Sequence, residues 1–325
     1  MKLLTTSQYI EDASHAIARS KKRVIVMTLC ISRETETQAF MDSLLIAAKK
    51  GVDVQVAADT FTFSEFGGYF NPFKRLAVHS REAKKLSNTL RKNGASFRWL
   101  GGNWRINPFA GVTHVKWTVV DDTVYSFGGV NLYGKGAKNI DYMFKVKDKK
   151  LADLLAKEHR EIVKADRDPT DYSGFYKQLG YGSLLIDSGQ KNESMIYERA
   201  VQLAEQSQSV LFVSQYCPTG RLAKILRRKK ATINYNQPKN THRWTKLMLL
   251  VSSVTTRLKS QYKKNTYLHA KFIVFTMPDG SKTALTGSHN FSYSGVRLGT
   301  REVDLETTDK KAISQLEAFY YNHIV

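Results

Sequence analysis

The sequence predicts an α/β fold made of two similar halves, each a mixed, mainly parallel sheet flanked by helices. Three observations carry that expectation. Helical and strand periodicities alternate from the N-terminus. The same alternation returns near Ile196. A His-x-Lys triplet, an apolar strand and a glycine turn occur once in each half.

In the first half, residues 6–20 place Ile10, Ala13 and Ile17 at helical spacing, and residues 24–31 are an apolar strand run. Residues 38–50 carry Phe40, Leu44, Leu45 and Ala48 on one helical face and stop at Gly51. Residues 52–56 alternate as a strand. Residues 61–73 hold six aromatics, two adjacent glycines and a proline. They keep neither period and are expected as a loop. Such a loop either packs on the protein's own surface or forms an aromatic lip at a membrane interface or acyl-chain entrance.

In the second half, residues 196–206 read as a helix, 210–214 as a strand, 219–229 as a basic helix and 231–235 as a short strand. The segments YIEDASHAIARSKKRVIVMT and MIYERAVQLAEQSQSVLFVS align as a weak internal repeat. Asp, Gly, Ser and Tyr concentrate between Asp166 and Asn192. The expected halves are therefore residues 1–165 and 193–325, joined by a connecting segment, 166–192.

Composition narrows the function. With 325 residues and 42% hydrophobic content the chain can build a packed core. Its 50 Lys and Arg against 29 Asp and Glu leave a net charge of +21, which calls for a polyanionic partner, nucleic acid or an anionic membrane. Residues 206–278 contain fourteen Lys and Arg and no Asp or Glu. Cations at that density repel unless an anion compensates them, so a phosphate-docking face is expected rather than a merely solvated one. Cys30 and Cys217 lie in apolar stretches and read as buried, reduced thiols. The N-terminal residues lack the apolar core of a secretory signal, and no apolar run nears the roughly 20 residues of a membrane span. A cytoplasmic, soluble or peripheral protein is expected. No zinc or magnesium ligand spacing is visible around His15, His79, His159, His242 or His323, and no cofactor is expected.

Chemistry concentrates in two segments. The first, HVKWTVVDDTVYSFGGVNL, sets His114 and Lys116 two apart, so that they share one side of an extended chain. Asp121 follows Lys116 after four residues, and a Gly-Gly turn leads to Asn131. The second, HAKFIVFTMPDGSKTALTGSHNF, repeats the spacing with His269 and Lys271 and ends in a Gly-Ser-His-Asn turn at Asn290. Phosphodiester exchange through a covalent intermediate needs a nucleophile, an acid for the leaving alkoxide and cationic donors for the phosphoryl oxygens. Two histidines, two lysines and two asparagines gathered at one centre supply that set, whereas one copy does not.

These residues resemble the signature of the phospholipase D superfamily, HxKx4D followed by a G-[GS]-x-N turn. The first copy matches it from His114 through Asp121 to Asn131. The second has Thr276 where the aspartate stands. The resemblance implies two halves packed about a pseudo-twofold axis around one active site, with Asp121 as a structural acid. It also implies an acid beyond each turn that orients a histidine, and Asp141 and Glu302 fit those places. Gly129 and Ser288 stand in the turns as substrate-binding positions, and His289 lies beside them as a ligand contact or a filler. The stretches SLLIAAKKGVDVQVAADTF and SQYCPTGRLAKIL are similar to bacterial cardiolipin synthases, which are phosphatidyltransferases. SHNFSYSGVRLGTRE resembles their closing segment only loosely.

The resemblance implies an enzyme of phospholipid metabolism, peripheral on the inner face of the membrane, that works through a phosphatidyl-histidine. His114 is read as nucleophile and His269 as acid, and near-symmetry leaves the reverse order open. Lys116, Lys271, Asn131 and Asn290 hold the phosphoryl oxygens in this reading. Two alternatives stand beside it: a metal-independent nuclease or phosphodiesterase acting on nucleic acid, which the charge suits equally, and a non-catalytic binding module that keeps the fold. Oligomeric state is left open, and a monomer is feasible.

Overall fold

The computed structural model describes every residue except 102–106, 108, 167–171 and 242, together with the side chains of 243 and 244. His242 and residues 167–171 of the connecting segment thus lie outside the described residues.

Seven strands build the first sheet: β1 (Lys2–Thr5), β2 (Arg23–Thr28), β3 (Asp53–Asp59), β4 (Ser96–Leu100), β5 (Trp117–Val120), β6 (Thr123–Ser126) and β7 (Tyr142–Lys147). Their order is β1-β7-β6-β5-β2-β3-β4. The helices of this half are α1 (Thr6–Ala18), α2 (Gln38–Lys49), α3 (Phe61–Gly67), α4 (Val78–Lys92), α5 (Gly134–Ala137) and α6 (Lys149–Lys164). The second sheet joins β8 (Phe175–Leu179), β9 (Gly182–Ile186), β10 (Ser209–Val213), β11 (Thr232–Asn234), β12 (Phe272–Thr276), β13 (Lys282–Gly287) and β14 (Val303–Thr307). Its order is β11-β10-β12-β13-β14-β9-β8. The helices here are α7 (Met195–Gln206), α8 (Gly220–Arg228), α9 (Arg243–Thr256), α10 (Tyr293–Leu298) and α11 (Lys310–Phe319). Read outward from the two His-x-Lys strands, β5 and β12, six strands of each sheet correspond in order.

Two similar α/β halves with mixed sheets are what the periodicities predict. The pairing differs from a mainly parallel sheet. Among the described residues, parallel pairs are confined to β2-β3, β3-β4 and β10-β11. The other neighbours run antiparallel. The reason is local. The strand after each His-x-Lys doubles back through a short turn, Asp121-Asp122 or Pro278-Asp279-Gly280, and only connections long enough to hold a helix return parallel. Strands β8 and β9 lie inside the segment 166–192 and hydrogen-bond into the second sheet.

Residues 61–73 are also not simply a loop, because Phe61–Gly67 is helix α3. The Asp59 carboxylate accepts the Phe61 amide at 2.7 Å and starts the turn. Phe63 then packs its ring 4.7 Å from that of Trp99. Tertiary contact, rather than apolar period, makes this helix.

One core is shared by both sheets. Ile25, Trp117 and Phe144 meet Phe272, Val303 and Leu316 in it, with α6 and α11 contributing. Separate cores lie under α1, α2 and α4 and under α7, α8 and α9. Cys30 and Cys217 are both free and buried. Among the described residues no helix is long and apolar enough to cross a membrane.

Candidate active site

Each histidine sits just before an inner strand of its sheet, β5 or β12, and is tied by backbone to the opposite half. The His114 amide donates to the Arg301 carbonyl at 2.8 Å, and the His269 amide donates to the Ile140 carbonyl at 2.9 Å. The next residue after each of those carbonyls is an acid, Glu302 or Asp141. These two bridges therefore carry the side chains into crossed pairs. His114 Nδ1 lies 2.8 Å from Glu302 Oε2, and His269 Nδ1 lies 2.6 Å from Asp141 Oδ2. A carboxylate at Nδ1 holds the proton there and leaves Nε2 with its lone pair.

The lysines are fixed by their own motifs. Lys116 Nζ donates to the His114 carbonyl at 2.8 Å, and Lys271 Nζ to the His269 carbonyl at 2.6 Å. Both are buried. The turns hold the acids. The Gly129 amide donates to Asp141 Oδ1 at 3.2 Å, and the Ser288 hydroxyl donates to Glu302 Oε2 at 2.5 Å. Gly129 is needed for space, since a Cβ there would stand 2.7 Å from Asp141 Oδ2 and 2.8 Å from Lys271 Nζ. Asn131 and Asn290 end the two turns. The side-chain carbonyl oxygen of each is buried without a hydrogen-bond partner.

The two histidines, both asparagines and Glu302 line one cavity of about 200 Å³ at the junction of the halves. His289 lines it too, and its Nδ1 accepts the Phe291 amide at 2.8 Å. His15, His79, His159 and His323 do not line it. Asp121 stands apart. Its carboxylate accepts the amides of Lys21, Lys22 and Arg23 at 2.8 to 3.1 Å and pins the chain entering β2. At the corresponding place the backbone serves instead, with the Gln208 amide donating to the Thr276 carbonyl at 2.7 Å.

Burial and like charges dominate the electrostatics. Burial, then Lys116 and Lys271, hold His114 well below the usual imidazole range. Burial and Lys271 push His269 down to about 3. Burial lowers Lys116 to about 7, helped by Lys271, and lowers Lys271 to about 8. Burial works to raise Asp141, but the His269 hydrogen bond and the charge of Lys271 outweigh it and leave the carboxyl below its usual range. Burial raises Glu302. Such a cluster favours the arrival of an anion that restores charge to the lysines and imidazoles.

Sequence reasoning marked the aromatic segment 61–73, of which Phe61, Glu65 and Tyr69 line the cavity, and missed the rest of the far wall. Glu65 on α3 accepts the hydroxyls of Tyr69 at 2.8 Å and Tyr133 at 3.1 Å. Across from it, Gln215 Nε2 donates to the hydroxyls of Tyr216 and Tyr267, each at 2.9 Å. All six residues line the cavity. The one available signal is that Tyr267 stands two residues before His269, on the same side of an extended segment.

A family model described as "Cardiolipin synthase, PLD-like domain" matches residues 14–163 and 203–324. No curated protein matches the sequence. Among solved structures, phosphatidylserine synthase of Haemophilus influenzae Rd KW20 superposes with a TM-score of 0.72 at 15% identity, covering 98% of this chain and 85% of that one. Polyphosphate kinase from Porphyromonas gingivalis superposes at 0.59 and 11% identity, covering 98% of this chain and 49% of that one. At such identities the likeness is one of fold. The family match spans both His-x-Lys motifs, and the chain therefore belongs to the cardiolipin synthase, PLD-like domain family of the phospholipase D superfamily and is an enzyme of the phosphatidyltransferase or phosphodiesterase kind.

Proposed function

We propose that this enzyme transfers phosphatidyl groups, or hydrolyses phospholipid phosphodiesters, through a phosphohistidine intermediate. The observation that carries the reading is the pair of crossed His–carboxylate contacts opening on one cavity. In the first step the Nε2 lone pair of His114 forms a P–N bond while the P–O bond to the leaving alcohol breaks. His269 gives its Nε2 proton to the departing oxygen. In the second step an acceptor alcohol or water returns a proton to His269 and attacks phosphorus, and the P–N bond breaks.

The environments support that order. Both imidazoles face Lys116 and Lys271 and differ in their acids: His114 is paired with a carboxyl whose own pKa is raised, so it rests neutral with a free lone pair. His269 is paired with a carboxylate held ionised, which favours an imidazolium once the substrate's negative charge has arrived. Lys116 and Lys271 neutralise the phosphoryl oxygens, and Asn131 and Asn290 orient them. The family's cardiolipin synthase description, the fold shared with a phosphatidylserine synthase and the aromatic cavity wall favour a phospholipid substrate. An enzyme peripheral on an anionic membrane fits the same substrate.

The acid-free stretch 206–278 favours a second reading, cleavage of nucleic acid by the same two histidines. Paired assays on purified protein decide. One supplies phosphatidylglycerol or CDP-diacylglycerol vesicles and follows new lipids by mass, and the other supplies single- and double-stranded DNA without metal. Lipid turnover that vanishes in His114→Ala and in His269→Ala is expected. DNA cleavage with untouched lipid would replace the first reading by the second.

A further inference from the structure

Helix α9 is built the wrong way round for a soluble surface. Leu249 is buried in the second half's core, yet Leu247, Leu250, Val251 and Val254 are exposed, Val254 at 75%. Their spacing of three and four residues puts them on one stripe of the helix, facing outward. A second exposed apolar group, Phe70, Phe73, Leu76 and Val78, follows α3. Together these two segments hold nine of the fifteen exposed large apolar side chains of the described residues, so the exposure is concentrated rather than scattered.

Both segments border the same opening. Met248, next to the α9 stripe and half exposed itself, lines the cavity that holds His114 and His269. From the other side, Tyr69 and Phe109 line it, and the Phe70 ring packs 6.2 Å from that of Phe109. Along the stretch that carries α9 the charge is of one sign. The acid-free stretch encloses α9 and contributes exposed Lys239, Lys246, Arg257, Lys259 and Lys263.

We infer that α9 and the segment 70–78 form an interfacial docking surface for an anionic lipid bilayer, which seats the cavity mouth on the membrane. The inference rests on the phospholipid reading above and adds the surface through which the substrate is reached. Aliphatic side chains favour this partner over nucleic acid. Leucine and valine gain nothing against phosphate oxygens, whereas an apolar stripe flanked by lysines matches the acyl boundary beneath anionic headgroups.

The test compares the wild-type chain with the triple variant Leu250→Ser, Val251→Ser, Val254→Ser, none of which lines the cavity. Co-sedimentation uses phosphatidylcholine vesicles with roughly one-third phosphatidylglycerol, against pure phosphatidylcholine. Circular dichroism and hydrolysis of the soluble diester bis-p-nitrophenyl phosphate check fold and chemistry. The variant is expected to bind the anionic vesicles at least about tenfold more weakly, with unchanged dichroism and unchanged hydrolysis of the soluble diester. Undiminished vesicle binding would overturn the inference. So would a loss confined to duplex DNA binding, or a wild-type dimer that the variant turns into a monomer with vesicle binding intact. Weakened vesicle binding in a protein that turns over no phosphodiester would support the docking surface while removing the reading it was built on.

Discussion

Asp141 Oδ2 and His269 Nδ1 stand 2.6 Å apart although 128 residues separate them in the chain. Glu302 reaches His114 across 188 residues in the same manner. Each imidazole is therefore oriented by the half of the protein that does not carry it. Replacing Asp141 with Asn removes the charge that stabilises the His269 imidazolium and allows the wrong tautomer. The expected loss in kcat is roughly a hundredfold or more, with the thermal midpoint little changed. Steady-state kinetics beside a melting curve check this, and near-wild-type kcat would show that the contact is ornamental.

Anion binding should depend on pH through the lysines. Lys116 and Lys271, brought down to about 7 and about 8 chiefly by burial, are protonated below those values and neutral above them. Affinity for tungstate, a soluble tetrahedral oxyanion, is therefore highest below about 7 and falls by roughly tenfold or more between about pH 6.5 and about pH 9. Calorimetric titration across that range measures it. A flat profile would mean that other groups hold the anion.

Gly129→Ala tests the space between the two copies of the motif. The added methyl group meets Asp141 and Lys271 at once, at 2.7 and 2.8 Å. At least about tenfold lower kcat is expected, from misplacement of groups that act together. Gly180→Ala, which meets nothing within 4 Å, is the matched control.

Asp121 should matter for stability and not for chemistry. It accepts three backbone amides and occupies a left-handed conformation with φ of 50°. Asp121→Ala loses the acceptors and strains the backbone, at a cost of about 2–3 kcal/mol in unfolding free energy. Asp121→Asn keeps one acceptor and tolerates the conformation, and should lose about half as much. Chemical denaturation measures both, and kcat per folded molecule should stay within about twofold.

How much of this was legible beforehand follows from the range of the forces involved. Helices α1, α2, α7 and α8 and strands β2, β3, β10 and β11 are written in local periodicity, and His114, Lys116, His269 and Lys271 in local spacing. The meeting of the two histidines at one cavity follows from repetition of the motif. Which acid serves which histidine was not legible, because backbone bridges between Thr113 and Arg301 and between Ile140 and Leu268 decide it. Strand direction was misread where hairpins replace crossovers, as at β5-β6 and β12-β13. Helix α3 was hidden because its aromatics answer to Trp99 and Tyr133 rather than to a helical period. Glu65 lies in the aromatic segment 61–73, but its pairing was hidden, since its tyrosine partners come from a neighbouring turn and from another element.

The most direct measurement is mass spectrometry of the wild-type protein quenched at alkaline pH during turnover of a phosphatidylglycerol or CDP-diacylglycerol substrate. A phosphatidyl adduct on the peptide that contains His114, absent in His114→Ala, is the predicted result. An adduct on His269 instead, or rapid turnover by His114→Ala, would contradict the division of labour between the two imidazoles.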